Sequence, residues 1–135
     1  MNNYTLTRTG LPDVAFTGEQ LANAGARPPD AKPEWNMRWH ELDLYRTEGG
    51  KWVAHVRYLS EHEREPEQDL VFTADTLDGL VSQLAEYDPY QWIDRYPDHS
   101  KWEQREHRRE ALICAQFDAV CNTAYSQAGV VETLD

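Results

Sequence analysis

Strands gathered in the first half of the chain and helices in the second predict an α+β fold. Three observations carry this. Two alternating runs flank Gly49-Gly50 in "YRTEGGKWVAHVRY". "DTLDGLVSQLAEY" repeats apolar residues at helical spacing. The C-terminal quarter carries an apolar stripe, Ile113, Cys114, Phe117, Val120, Cys121 and Ala124, which Gly129 closes. The expected architecture is an antiparallel sheet of four to five strands with two to three C-terminal helices packed on one face. It forms a single domain over 1–135, β-rich in 1–73 and helical in 75–128.

Each element has its own reason. "YTLTRTG" alternates and is rich in Thr, so it reads as a short strand. The next segment has two readings over 17–25. Thr17 and Gln20 have capping-box spacing and Gly25 can end a two-turn helix. Alternatively, Val14 and Phe16 begin a strand that Gly18 bends, which is the preferred reading. "RPPDAKP" holds three prolines and is loop.

The hairpin has one register that keeps a face apolar. A three-residue loop, Glu48-Gly49-Gly50, pairs Leu44 with Ala54, Leu42 with Val56 and His40 with Tyr58. The other face then sets Glu41 against Arg57 and Asp43 against His55. This is a type I turn followed by a bulge, with Gly50 left-handed. "DLVFT" is a further strand. Asp75 is the expected cap of the first helix, whose apolar face is Leu77, Leu80, Val81 and Leu84. Pro89 opens a short helix, "PYQWIDRY". Ser100 and Glu103 form a capping box for the last helix, about 101–127. Cys114 and Cys121 sit two turns apart on it, about 10 Å, too far to bridge each other. They read as free thiols.

The net charge of −11 is unevenly spread. Residues 60–99 hold eleven acidic and two basic side chains, a balance of −9; the other three quarters lie between −2 and +1. Direct binding to nucleic acid or to an anionic membrane needs a basic footprint, so both are disfavoured. A basic protein surface is the complementary partner. No apolar run approaches the roughly 20 residues of a membrane span. The polar start, "MNNYTLTRTG", lacks a signal-peptide core, and the expected location is cytoplasmic.

The sequence has no phosphate loop, dinucleotide fingerprint, nucleophile elbow or Cys-x-x-Cys. No catalytic residue, cofactor or metal is expected. Glu103 and His107 have the i, i+4 spacing of an ordinary surface contact. "EQREHRRE" is charged on all sides and reads as solvated helix, with partner contact through Arg105, Arg108 and Arg109 as the alternative.

The main candidate surface is "SEHEREPEQD". Glu61, Glu63, Glu65, Glu67 and Asp69 recur every second residue. In an extended chain their carboxylates point one way, about 6.7 Å apart, in a row roughly 27 Å long. Such a row matches the basic groove of a nucleic-acid-binding protein. A charged loop or protected edge strand is the plainer explanation. Next to it, "EYDPYQWIDRYPDHSKW" alternates aromatics with carboxylates, and Tyr90, Trp92, Asp94 and Tyr96 join the candidate partner-binding set. The same aromatics can instead close the open end of the sheet.

The runs "FTGEQLA" and "RWHELDLYRTEGGKWVAHV", within residues 14–56, resemble a pattern seen in small bacterial proteins carried on plasmids and other mobile elements. The pattern implies no assigned activity, and no functional residue follows from it. Mobile-element carriage implies an inhibitor of host defence, by analogy with anti-CRISPR proteins, which are often small, acidic and free of catalytic motifs. The expected function is thus a non-enzymatic, acidic inhibitor that mimics DNA and blocks a basic nucleic-acid-binding surface. Two alternatives stand beside it. One is a small ligand-binding protein or enzyme using 87–102, with Trp92, Asp94, Tyr96 and His99 lining a cleft. The other is an antitoxin or immunity protein.

Overall fold

The computed structural model describes residues 1–25, 38–62, 65–95 and 102–129. Five strands form one antiparallel sheet in chain order: β1 (Asn2–Arg8), β2 (Leu11–Ala24), β3 (Arg38–Thr47), β4 (Trp52–Ser60) and β5 (Gln68–Ala74). Two α-helices follow among the described residues, α1 (Leu77–Glu86) and α2 (Glu103–Gln127). The class is α+β. The sheet curls until the end of β1 touches the start of β5. There Thr9 N donates to Asp69 O at 2.8 Å, and Asp69 N donates to Thr9 Oγ1 at 2.7 Å.

The β3–β4 register is the one that patterning requires: Leu44 faces Ala54, Leu42 faces Val56 and His40 faces Tyr58. Gly50 has φ +88°, a left-handed turn conformation that glycine adopts without strain. β2 runs through the ambiguous segment as strand. Gly18 permits this by lying flat on β3, where a Cβ would come within 2.3 Å of the Arg46 carbonyl oxygen.

The two sides of the sheet differ. One carries Ala22, Ala24, Leu42, Leu44, Ala54 and Val56, in a cluster with Leu80 and Leu84 of α1 and Phe117, Val120, Cys121 and Ala124 of α2. The other holds Leu6, Tyr45 and Val53 with Tyr4 and Phe16, whose ring centroids lie 4.8 and 5.3 Å from that of Tyr45, tilted and edge-on. Beside them lie polar groups. Asp43 accepts from Asn23 and Gln20, and Arg57 sits 3.7 Å from Glu41 and 3.8 Å from Asp43.

Three local expectations change. Thr76, not Asp75, caps α1, its Oγ1 accepting from Gly79 N at 3.1 Å. The helix expected from Pro89 is a run of turns. Asp88 Oδ1 accepts from Tyr90 N at 2.9 Å, and Tyr90 O accepts from Ile93 N at 3.1 Å, so the chain coils tightly around the buried Tyr90 and no helix develops. α2 begins after Trp102 with no side-chain cap; Ser100 lies outside the described residues. Cys114 and Cys121 are free thiols, and burial with the nearby Asp118 charge pushes Cys121 up to about 12.

His40 ties the sheet to the helices. It is fully buried, shares a 2.9 Å hydrogen bond with Tyr87 Oη, and its backbone N–H and C=O are both clasped by the Gln116 amide of α2. Burial holds its pKa down to about 4, against a smaller opposing effect of Gln116. The unfolded chain therefore takes up a proton near pH 6.5 that the folded chain refuses until about pH 4. The contribution of neutral His40 is complete above 6.5 and is lost as pH falls to 4, a change on the order of 3 kcal/mol. Urea titrations at pH 7 and pH 4 should show this loss in the native chain and not in His40→Gln; an equal loss in both would refute it. Gly18→Ala should cost about 1–3 kcal/mol in the same assay at pH 7.

Candidate functional site

The β4–β5 connection carries the acidic run, and its described residues, 61–62 and 65–67, are not strand. Glu65 N donates to His62 O at 3.1 Å, which closes a turn. The turn swings Glu65 inward. Its carboxylate accepts from Arg38 Nε at 2.8 Å, Tyr58 Oη at 2.7 Å and Ser60 Oγ at 3.1 Å, and Arg38 Nη2 completes a bidentate pair. The Arg38 and Glu65 side chains are 9% and 10% exposed, so this is a buried ion pair. Burial by itself pushes the Glu65 carboxyl up. The hydrogen bonds from Arg38 and Tyr58 and the Arg38 charge outweigh it and hold the group down at about 2.

The row of five outward carboxylates is thereby corrected. Glu65 faces the protein. Asp69 is half-buried and turns its Oδ1 to His55 Nε2 at 3.0 Å. Glu61 and Glu67 are exposed, and Glu63 lies outside the described residues. A two-residue period aims side chains one way only while the chain is extended. Here a turn and a buried cation take precedence.

The aromatic segment also turns inward. Tyr87 Oη accepts from Trp92 Nε1 at 2.7 Å while bonded to His40. Tyr90 is buried against Tyr58, Ile93 and Ile113; its hydroxyl donates to Glu106 at 2.8 Å and accepts from Arg109 Nε at 2.8 Å. Arg109 also donates to the Asp94 carbonyl, so this arginine fastens the turn to α2 instead of facing a partner. Arg105 and Arg108 are exposed, Arg105 lying 5.1 Å from the Trp102 ring. Of the predicted aromatic set, Trp92 is half-buried and the Asp94 side chain is exposed, while Tyr96 and His99 lie outside the described residues. Tyr90 is thus buried in the core, and Tyr87 is half-buried against it.

The charge that stays at the surface lies elsewhere. Glu67, Asp75, Asp78, Glu86, Asp88 and Asp94 are exposed, strung from the start of β5 through α1 to the turn that follows it. Burial, and then the charges of Glu110, Asp88 and Asp118, push the Cys114 thiol up. A shallow groove of about 150 Å³ runs along β5, between the β1–β2 hairpin tip and the strand, lined by Leu11, Leu70, Val71, Phe72 and Trp92. A larger open groove of about 640 Å³ lies at the opposite end, beside Leu21, Arg46, Trp52 and Leu77.

Among the described residues no group of three or more His, Cys, Asp or Glu is placed to hold a metal ion. No helix there is long and apolar enough to cross a membrane. No protein-family model, curated protein or solved structure matches the chain.

Sequence reasoning missed the Arg38–Glu65 pair because the partners lie 27 positions apart and meet only when β3 and β4 pair. One signal was available: in the hairpin register Arg38 faces Ser60, beside the acidic run. Removing one member of a buried pair strands the other. Glu65→Gln should therefore cost about 3 kcal/mol, and Arg38→Met with Glu65→Leu should recover most of it. Chemical denaturation of the three chains checks this, and a double variant no more stable than Glu65→Gln would contradict it. In the native chain the pair's contribution should hold above pH 4.5 and fade as pH falls toward 2, a lower window than that of His40.

Proposed function

We propose that the chain is a non-enzymatic, acidic interaction module that inhibits a partner by covering a basic protein surface. The concrete version is an anti-CRISPR or other anti-defence protein that occupies a nucleic-acid-binding groove as a DNA mimic. The observation that supports this reading is the run of exposed carboxylates at Glu67 and Asp75, which flank the strand β5, at Asp78 and Glu86 on α1, and at Asp88 and Asp94 in the segment that follows. The described basic residue of that stretch, Arg95, lies 3.5 Å from Glu106 and 3.8 Å from Glu110, so its charge is already partly offset. A surface of one sign repels phosphates and steers a basic partner into contact. It needs no reactive group, only charge held on ordered backbone.

This surface replaces the linear row. α1 carries Asp78 and Glu86, and Glu67, Asp75 and Asp88 flank β5 and α1, where the row depended on an extended loop. Of the four residues named for the aromatic–Asp cleft, Trp92 is half-buried and Asp94 exposed, while Tyr96 and His99 lie outside the described residues.

The test is a DNA-binding assay on a panel of guide-loaded CRISPR effector complexes. One member should lose DNA binding at stoichiometric inhibitor, and the inhibition should weaken as salt rises. Replacing the six carboxylates by their amides should raise the inhibitor concentration required by about tenfold or more, whereas amides at Asp13, Glu19 and Glu48 should leave it unchanged. Undiminished inhibition by the sixfold variant would show that the charge plays no part.

A further inference from the structure

We propose that the outer edge of β5 is a docking site for an extended basic segment of the partner, which adds to the sheet as a sixth strand. This rests on the acidic-module reading above and specifies how contact is made.

Backbone direction follows from register. Asp69 uses both its N–H and its C=O on Thr9, away from β4. Successive residues of a strand point their backbone groups to opposite sides, so Asp69, Val71 and Thr73 all face outward. The Thr73 carbonyl agrees, since it accepts from Gln83 Nε2 at 2.8 Å. The N–H and C=O of Val71 and the N–H of Thr73 are left at the sheet edge, with no partner among the described residues. Unpaired edge groups are a template for another strand.

Side chains and charge define the occupant. Beside those groups runs the groove of about 150 Å³, with Leu70, Phe72 and Trp92 as its apolar wall and Arg8, whose Nε donates to the Pro12 carbonyl, on its hairpin side. An added strand places every second side chain against that wall. Exposed Glu67 and Asp75 bracket β5 at its two ends, and Asp78 follows one turn later. The fitting segment therefore alternates apolar residues with Lys or Arg. β1 packs against β5 and the β1–β2 hairpin tip blocks the lower end at Thr9, so pairing centres on the outward backbone of Val71 and Thr73.

Amide hydrogen exchange by NMR on the full chain tests this, with a synthetic eight-residue Lys–Val alternating peptide as probe. In the free protein the Val71 and Thr73 amides should exchange rapidly. With the peptide bound, both should slow by about tenfold or more. A peptide N-methylated at alternate residues should give no protection, and Glu67→Gln with Asp75→Asn should weaken binding several-fold. Slow exchange in the free chain, binding without protection of these two amides, or equal binding of the N-methylated peptide would each overturn the strand-addition mode. Binding without protection would leave the acidic-module reading standing. Equal protection by a Glu–Val peptide would instead overturn the basic partner while the edge remained a docking site.

Discussion

A slip of one residue between β3 and β4 would turn every side chain of the hairpin to the wrong face. Most of the molecule hangs on that register. It sends Leu42, Leu44, Ala54 and Val56 to the helical side and Asp43, His55 and Arg57 to the other. It aligns Arg38 with Ser60, which sets the guanidinium where Glu65 can reach it. It also fixes the parity of β5, since Leu70 and Phe72 must bond inward to β4 for Asp69 to bond outward to Thr9. The direction of the open edge is thus a consequence of a turn some twenty residues earlier.

Two buried polar contacts fasten this sheet to what surrounds it, and each has one sign of pH response. His40 must stay neutral because its ring is desolvated among Tyr58, Tyr87 and Phe117. Glu65 must stay charged because Arg38, Tyr58 and Ser60 all donate to it. Acid opposes both, by adding a charge in the first case and removing one in the second. The acidic surface is a separate matter. Its exposed carboxylates contribute little to folding and are available for association.

Much of the fold was legible because it obeys short periods. Alternation exposed the hairpin and its loop, down to Gly50. The i, i+3, i+4 stripe on α2 identified Ile113, Phe117, Val120, Cys121 and Ala124 as buried. The turns over 89–92 were misread as helix because Pro89 suits both and only the burial of Tyr90 separates them. The candidate site was less legible. The excess charge of 60–99 was plain, but which carboxylates face water was not. Glu65 and Asp69 share the spacing of Glu61 and Glu67, and nothing local distinguishes them.

From residue order alone follow the class of fold, the β3–β4 register and the sign and rough location of the surface charge, since each depends on neighbours a few positions away. Only the folded chain decided which acids are spent internally and which edge stays open. Arg38 and Glu65, Asp69 and Thr9, and His40 and Gln116 come from distant parts of the sequence. A carboxylate's direction is set by whichever donor the fold brings within about 3 Å of it, and that donor has no fixed place in the sequence.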